Sequence, residues 1–376
     1  MAAQGELRTD VLVIGGGLVG ASAAFFLRRD HGVPVVLVER GLVGSQASGV
    51  NFGNVRRHGR HPTQLALAER SRAIWGELPK LIGADCEYAV TGHVRLASSD
   101  DDMQVLADWA EAARPHGVVP ELIGRNTLRS RFPWLGRQFV GASVLPGDGQ
   151  ANPRLAAPAF GRAARGAGAI VVEQTRVLHL APDGSGLVAE LSDGRRVRAR
   201  KVINAAGAWG PEFAGAAGEA VPLTPRGPQL GVTEPLPYRL REAFGTVSAG
   251  LYFRQVLRGN IVFGGGTRQP VTLEPPRARC APEQFLAMLE RLVRIIPDLA
   301  GAQAIRSWSG VEGYTPDMQP VLGPSRTMPG LVHAFGFSGH GFQMAPGVGA
   351  TVAELAARGE TAVPTAPFAP GRFASA

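Results

Sequence analysis

Three glycines near the start of the chain have the spacing of a phosphate-binding turn. Gly15, Gly17 and Gly20 form the pattern G-x-G-x-x-G. In such a turn the first glycine permits a sharp bend, the second lets the backbone approach a pyrophosphate, and the third allows a helix to pack closely on a strand. Glu39 follows at roughly the 20-residue separation at which a carboxylate binds a ribose 2′-hydroxyl. These residues predict a dinucleotide site, and the carboxylate disfavours the 2′-phosphate of NADP.

The elements that must position these residues are a strand, a helix and a second strand. An apolar run at 9–14 precedes the glycines, residues 21–29 have helical spacing, and the apolar run 33–38 ends at Glu39. A helix that begins at the turn directs unpaired N–H groups and the positive end of its dipole at the phosphates. The predicted cofactor site also includes Leu18, Val19 and Arg40.

Small residues recur in three later segments. Residues 40–58 are small and polar and lead into Arg56, Arg57, His58 and Arg60, so we expect them to line a site rather than form an ordinary surface loop. Residues 201–210 place small residues just past a buried strand, which favours close approach of the backbone to a ligand. Residues 331–349 have the pattern of a strand, a glycine-rich loop and a helix, which predicts a second helix N-terminus facing the ligand.

The rest of the chain predicts helices and hairpins around these segments. Helices are expected at 61–81, 103–116, 153–167 and 282–296. An Asp193-Gly194 turn predicts a hairpin between 187–191 and 197–202, and a second hairpin is expected from 251–257 and 261–266. Asp100, Asp101 and Asp102 are interpreted as the acidic first turn of a helix rather than as metal ligands.

Composition excludes several classes of protein. The chain has 376 residues, enough for about two domains, and its formal charge of +8 comes from scattered arginines without interleaved aromatics, so no nucleic-acid partner is expected. No apolar run of about 18 residues is present, which argues against a membrane span. Cys86 and Cys280 form no metal or dithiol motif. A reduced, cytoplasmic protein without a metal site is expected.

Four motifs occur in one order: Val11 to Glu39, Ser45 to Arg57, Val202 to Trp209 and Gly336 to Phe342. On these motifs the chain resembles the FAD-dependent D-amino-acid oxidase family over nearly its whole length. It is most similar to the group with D-hydroxyproline dehydrogenase, hydrogen-cyanide synthase and the opine and sarcosine oxidase flavin subunits.

The resemblance implies an α/β fold, α+β overall, with a Rossmann-like FAD-binding domain interleaved with an antiparallel β-sheet substrate domain. The FAD-binding domain is expected at 1–90, 141–215 and 325–360, the substrate domain at 91–140 and 216–324, and a C-terminal tail at 361–376. By position, Ser48 and Gly53 border the flavin, Val177 contacts the adenine side, and Ala206 and Gly207 pass close by. The residues expected over the pyrimidine edge of the flavin are Gly339, His340, Gly341, Phe342 and Gln343.

Two departures from the sarcosine-oxidase pattern refine this expectation. No cysteine precedes Thr315-Pro316-Asp317, so FAD is expected to bind non-covalently. No lysine lies in the strand 261–263, where the related oxidases carry one that helps the flavin react with oxygen. We therefore expect a dehydrogenase that passes electrons to a partner subunit or carrier.

The implied reaction is hydride transfer from the Cα of an amino acid or secondary amine, such as sarcosine or D-hydroxyproline, to flavin N5, which leaves an imine. An arginine would bind the substrate carboxylate. Instead of binding substrate, the candidate arginines could form surface ion pairs, and the candidate tyrosine could pack in the core. The candidate catalytic residues are Arg56, Arg57, Tyr252, Arg254 and His340.

Three other interpretations stay open at this stage. One is an oxidase subunit of a complex that acts on D-amino acids, glycine or opines. The others are an NAD-dependent dehydrogenase, which shares the opening motif, and a flavoprotein subunit that serves only as a scaffold.

Overall fold

A computed structural model describes residues 5–373. The first four and last three residues, which belong to the predicted FAD-binding domain and the predicted tail, lie outside the described residues. The described chain contains ten α-helices: α1 Leu18–His31, α2 Ala47–Val50, α3 Leu65–Gly76, α4 Leu78–Ile82, α5 Asp100–Ala113, α6 Arg125–Arg131, α7 Pro153–Gly166, α8 Gly210–Ala216, α9 Pro282–Ile295 and α10 Gly341–Arg358.

The strands are β1 Glu6–Ile14, β2 Val35–Val38, β3 Asn54–Val55, β4 His93–Ala97, β5 Glu121–Gly124, β6 Gly141–Leu145, β7 Gly149–Gln150, β8 Ile170–Val172, β9 Val177–Asp183, β10 Gly186–Leu191, β11 Arg196–Asn204, β12 Thr224–Arg226, β13 Gln229–Pro235, β14 Ala243–Thr246, β15 Leu251–Gln255, β16 Asn260–Gly265, β17 Val271–Leu273, β18 Pro276–Ala278, β19 Ala304–Ser309, β20 Glu312–Tyr314, β21 Val321–Pro324 and β22 Leu331–Phe335.

The first large sheet is mostly parallel and has the order β21-β22-β11-β1-β2-β8, with β10 and β9 continuing from β11. Residues 11–14 of β1 and all of β2 are valine, leucine and isoleucine and are buried, as expected for the part of a parallel sheet that is covered on both sides. The strand register places Ile14 beside Val38 and Asn204. The carboxyl ends of these strands therefore meet at one edge, where ligands of open α/β sheets bind.

Helices α1, α7 and α10 cover one face of this sheet. Small residues allow close packing there: a Cβ on Gly349 of α10 would collide with the hydroxyl of Ser22 on α1. The Ser22 hydroxyl donates hydrogen bonds within α1, to Leu18, and across to the carbonyl of Ala345 on α10. The two helices are thereby fixed with both N-termini at the ligand edge of the sheet.

The second large sheet has the order β19-β13-β16-β15-β14-β4-β6-β5. It is antiparallel except for β14 and β4, which pair in parallel with Phe244 opposite Val94. On one face Val94, Phe244 and Phe253 pack in an apolar core with α9. The alternate residues therefore face the other way, over the ligand edge of the first sheet.

The structure confirms the predicted fold class and both predicted hairpins. The predicted helix at 61–81 is a 3-10 turn followed by α3 and α4, which meet at Glu77. The side chain of Ser99 accepts a hydrogen bond from the Asp102 backbone, in agreement with the capping interpretation. Within residues 5–373, no helix combines the length and apolarity that a membrane crossing requires. The domain boundaries remain a prediction.

Candidate active site

One cavity of about 740 Å³ joins the two sheets. It starts at the carboxyl ends of β1 and β2, passes the loop before α10, and continues beneath the second sheet, where Tyr252 of β15 and Thr246 of β14 line it. Its lining thus includes both the predicted phosphate turn and polar residues of the second sheet. Within residues 5–373, no group of histidine, cysteine and acidic side chains is arranged to hold a metal.

The glycine turn has the geometry that the sequence predicts. Gly15 has φ +101°, and a Cβ there would lie 2.5 Å from the carbonyl oxygen of Ala205. A Cβ on Gly20 would collide with the carbonyl of Gly15, so this position also requires glycine. Gly17 caps α1 without a side-chain hydrogen bond, and the Leu18 backbone donates to the Ser48 hydroxyl at 2.8 Å. Gly17 and Val19 line the cavity, so the N-terminus of α1 borders it.

Glu39 is attached to the same turn through its carboxylate. One oxygen accepts from the Gly16 nitrogen at 2.6 Å and the other from the Gly41 nitrogen at 2.7 Å. The side chain is buried and lines the cavity. Burial raises the pKa of this carboxyl, and the two backbone donors and Arg40 oppose that shift.

The predicted nucleotide end also contains Val177, Ala206 and Gly207, which line the cavity. Trp209 lies beside them, and the Arg40 guanidinium stacks 4.4 Å from the centre of its ring. The indole nitrogen of Trp209 is buried and has no hydrogen-bond partner among the described residues. A ligand in this cavity would supply the acceptor that the buried donor lacks.

The loop before α10 forms the opposite wall. The predicted residues Gly339, His340, Gly341, Phe342 and Gln343 all line the cavity. The His340 ring nitrogen Nδ1 is buried without a partner among the described residues. Burial lowers the pKa of His340 well below its usual value, and the charges of Arg60, Arg56 and Arg268 add to that effect. His340 is therefore neutral near pH 7.

Three arginines converge at the end of the cavity beneath the second sheet. A Cβ on Gly59 would lie 2.9 Å from Nη1 of Arg95 and 3.4 Å from Nη1 of Arg56, so both guanidinium groups approach this turn. Nη1 of Arg56 also donates to the carbonyl of His58. Arg60 is 3% exposed, its Nε donates to the carbonyl of Arg56, and its Nη1 is buried without a partner among the described residues. Burial lowers the pKa of Arg56 to about 10, and the charge of Arg95 contributes.

The other two candidate arginines are absent from the lining of this cavity. Arg57 pairs with the buried Asp148 at 3.2 Å and with Glu69 at 2.8 Å. Arg254 donates from Nε to the carbonyl of Phe52 at 2.7 Å and from Nη1 to Gln150 at 2.9 Å. These contacts hold the loop after α2 against the second sheet, so both side chains position the cavity wall.

A carboxylate faces the cavity at Glu312. Its Oε2 accepts a hydrogen bond from the Tyr314 hydroxyl at 2.6 Å. Burial raises the pKa of Glu312, and its charge helps to raise the pKa values of Tyr314 and Tyr252 above their usual range. The Arg268 guanidinium stacks 4.2 Å from the centre of the Tyr314 ring.

Most of the residues predicted from the sequence line this cavity, and several other lining residues were not predicted. Leu18 and Gly20 support the glycine turn without lining the cavity, whereas the other predicted cofactor residues line it. Strand alternation could have identified one omitted residue, because Val94 and Leu96 of β4 enter the apolar core and Arg95 must face the opposite side. The lining residues that were not among the predicted site residues include Arg60, His93, Arg95, Arg268, Glu312 and Tyr314.

The fold and the cavity are those of a dinucleotide-binding protein. The family described as "DAO: FAD dependent oxidoreductase" matches residues 10–355, and the chain belongs to this family. The predictions of an enzyme, of FAD and of this family are confirmed.

The most informative similarities cover almost the whole chain. Glycine oxidase from Geobacillus kaustophilus is 30% identical over 96% of each chain. One of the subunits of opine oxidase from Rhizobium meliloti is 29% identical over 97% of each. The crystal structure of L-proline dehydrogenase from P. horikoshii superposes with a TM-score of 0.91 and 27% identity, over 98% of this chain and 99% of that one.

The described residues fit FAD. Gly15 and Gly17 form a cradle without side chains that lines the cavity beside the N-terminus of α1, which favours a pyrophosphate there. Glu39 has the position for a ribose hydroxyl, and the indole nitrogen of Trp209 lacks an acceptor that a ligand would supply. The attachment of FAD without a covalent bond stays a prediction.

Proposed function

We propose that the protein is a dehydrogenase of amino acids or N-substituted amino acids, such as D-proline, D-hydroxyproline or sarcosine, and that it converts the Cα–N bond to an imine. The observation that carries this proposal is the convergence of Arg56, Arg60 and Arg95 in the cavity that also contains the glycine turn. Arg60 is buried with an unpartnered Nη1, and Arg56 and Arg95 are partly buried, so a substrate carboxylate would supply both an acceptor and a counter-charge.

The arginines would fix the orientation of the substrate. The substrate carboxylate would lie between Arg56 and Arg95 and beside the unpartnered Nη1 of Arg60. Its α-carbon would then face the loop before α10. When bound, FAD supplies the acceptor for the hydride that leaves Cα. His340 is neutral, so it adds no positive charge beside the cations and has a ring nitrogen for a hydrogen bond. Tyr252 packs edge-on against Phe52 at 4.7 Å and closes the other side.

The choice of dehydrogenase over oxidase rests on the two lysines of the chain. Lys201 donates to the carbonyl of Ala356 on α10, and Lys80 pairs with Glu77 on the surface. Neither belongs to the described lining of the cavity. Electrons would therefore pass to a partner subunit or carrier rather than directly to oxygen. We also retain a reducing, cytoplasmic location as part of the proposal, because Cys86 and Cys280 are free thiols.

A substrate with two carboxylates is the second candidate. Three arginines in one cavity offer more donors than the two that one bidentate carboxylate uses, and the similarity to a component of opine oxidase favours the same chemistry. An opine, which is an amine between two carboxylated carbons, would satisfy all three arginines.

The proposal is tested by titrating the FAD-loaded protein without oxygen. The panel contains sarcosine, D-proline, cis-4-hydroxy-D-proline, glycine, D-alanine and an opine, with sarcosine amide as a matched ligand that lacks the carboxylate. We expect at least one secondary amine with a carboxylate to bleach the flavin absorbance, no bleaching by the amide, and slow recovery in air. Fast recovery with formation of peroxide would identify an oxidase. Bleaching by the amide would contradict recognition of the substrate through its carboxylate.

A further inference from the structure

The carboxylate of Glu312 lies in a part of the cavity that neither the cofactor turn nor the arginine end explains. Glu312 belongs to the short strand β20, which pairs with β12 beside the loop before α10. A Cβ on Gly339 would lie 3.7 Å from Oε2 of Glu312 and 3.7 Å from the Tyr314 hydroxyl. The carboxylate therefore borders the loop that the family places over the flavin, in the cavity that the convergent arginines also line.

Glu312 makes no ion pair among the described residues. The groups that face it are the Tyr314 hydroxyl of its own strand, Tyr252 of β15, and Arg268 beyond β16. Arg268 acts on it only at longer range, because its guanidinium is stacked on the Tyr314 ring. Glu312 lines the cavity with its side chain half-buried, and burial raises the pKa of its carboxyl, so the carboxylate is poorly solvated.

A desolvated carboxylate without a cation is costly, and a cationic ligand removes that cost. An amino acid carries both required charges: its carboxylate suits the arginine end, and its ammonium suits the carboxylate of Glu312 in the same cavity. Tyr314 would keep Glu312 oriented, because its short hydrogen bond occupies Oε2 and leaves Oε1 for the ligand.

We propose that Glu312, oriented by Tyr314, binds the amine of the substrate as an ammonium ion and accepts a proton from it. The inference rests on the proposed function and specifies how that site recognises nitrogen. In this step an N–H bond of the ammonium breaks and an O–H bond forms on Glu312. The amine becomes neutral, with a lone pair that can form the C=N bond as the hydride leaves Cα. The proton later passes from Glu312 to water. Glu312 is thus a catalytic residue, and Tyr314 is a positioning residue.

A binding comparison without turnover tests the proposal. The ligands are 2-aminoisobutyrate, which has no α-hydrogen and cannot lose a hydride, and isobutyrate, which lacks the amine. Their affinities are measured by calorimetry on the FAD-loaded wild type, on Glu312→Gln, and on Glu219→Gln as a control. Glu219 is a largely buried carboxylate that contacts His333 at 2.9 Å, outside the cavity.

We expect the wild type and Glu219→Gln to bind the amino acid about tenfold or more tightly than isobutyrate, as for a charge-assisted hydrogen bond. Glu312→Gln should lose most of this preference and retain its affinity for isobutyrate. The proposal is overturned if the wild type has no preference for the amine, if Glu312→Gln keeps the preference, or if that variant loses both ligands equally. Binding of these two ligands can be measured even if no amine of the panel bleaches the flavin. Absence of bleaching would count against the proposed function, whereas the binding preference tests the role of Glu312.

Tyr314→Phe provides a second variant that keeps the ring under Arg268. Removing the hydroxyl removes a hydrogen bond that stabilises the carboxylate, so the pKa of Glu312 should rise. The acid limb of the pH profile for anaerobic flavin bleaching should then move to higher pH, with the affinity for isobutyrate unchanged. An acid limb at the same pH in Tyr314→Phe as in the wild type would contradict the proton-accepting role.

Discussion

The carboxylate of Glu39 accepts a hydrogen bond from the backbone nitrogen of Gly16 at 2.6 Å. The acid at the end of β2 is thereby attached to the turn at the end of β1. The same residue accepts from Gly41, so both oxygens are fixed while the side chain still lines the cavity. Such an arrangement presents a preorganised carboxylate to a ribose beside the phosphate turn.

Glu39→Gln should weaken FAD binding. The amide nitrogen would face one of the two backbone donors, and a charged acceptor for the ribose would be lost. We expect the affinity of the apoprotein for FAD to fall about 10- to 100-fold, as for the loss of a hydrogen bond to a charged group. Fluorescence titration measures it. Glu173→Gln is the matched control, because Glu173 also accepts from a backbone nitrogen, that of Val43 at 2.7 Å, but is not part of the cavity lining. Equal losses in both variants would contradict the assignment.

Gly17→Ala should separate cofactor binding from folding. Gly17 has an ordinary φ of −65°, and its added Cβ would meet only the Ser48 hydroxyl at 3.1 Å. We expect the free energy of unfolding of the apoprotein to change by about 1 kcal/mol or less, because Ser48 can shift. The FAD affinity should fall markedly, since the methyl group occupies the phosphate approach. Gly166→Ala, where nothing lies within 4 Å, is the control that should leave FAD affinity unchanged. A Gly17→Ala protein that binds FAD normally would contradict the cradle.

Arg60 and Arg254 should respond differently to substitution by lysine. Arg254→Lys leaves the acceptors at Phe52 and Gln150 without their donors and should cost about 1–3 kcal/mol in the free energy of unfolding. Arg60→Lys should raise the dissociation constant for isobutyrate by about tenfold, because lysine lacks the planar fork. Urea unfolding and calorimetry check the two effects. A large loss of isobutyrate affinity in Arg254→Lys, at unchanged stability, would reverse the two roles.

The buried histidines make the protein sensitive to acid. The ring of His58 bonds to Ser143 at 2.8 Å, and burial, Arg95 and Arg56 lower its pKa well below 6.5. The unfolded chain takes up a proton on this ring below about pH 6.5 and the native state does not, so stability falls as the pH drops. Relative to His58→Gln, the wild type should lose up to about 1.4 kcal/mol of unfolding free energy per pH unit between pH 6 and 5. Parallel pH curves for the two proteins would show that His58 is charged in the folded state.

The sequence predicts the cofactor end of the site better than the substrate end. The glycine turn, Glu39 and the loop before α10 are local patterns whose geometry follows from neighbouring residues, and the structure places them on one cavity. The convergence of Arg56, Arg60 and Arg95 depends on how β4 packs over the first sheet, which local spacing does not specify. Arg254 illustrates the converse. Its position in a strand is apparent from the sequence, but its burial against Phe52 is a tertiary contact.

The interleaving of the two sheets likewise depends on contacts between residues that are distant in the sequence. The hairpins follow from turn residues, whereas the parallel pairing of β14 with β4 joins segments more than a hundred residues apart. No turn sequence encodes such a pair, so the sequence predicts the antiparallel part of the sheet and omits this exception.

Oxidation at the α-carbon is tested most directly by an isotope effect. The rate at which an α-deuterated substrate bleaches the flavin without oxygen is compared with the rate for the undeuterated compound. The substrate is whichever carboxylated amine of the panel bleaches the wild type fastest, and stopped-flow absorbance gives both rates. Hydride loss from Cα predicts that deuteration slows bleaching severalfold and that Arg60→Lys raises the substrate concentration needed for half-maximal rate. Equal rates for the two isotopologues, together with no dependence on Arg60, would contradict oxidation at the α-carbon of an amino acid bound by its carboxylate.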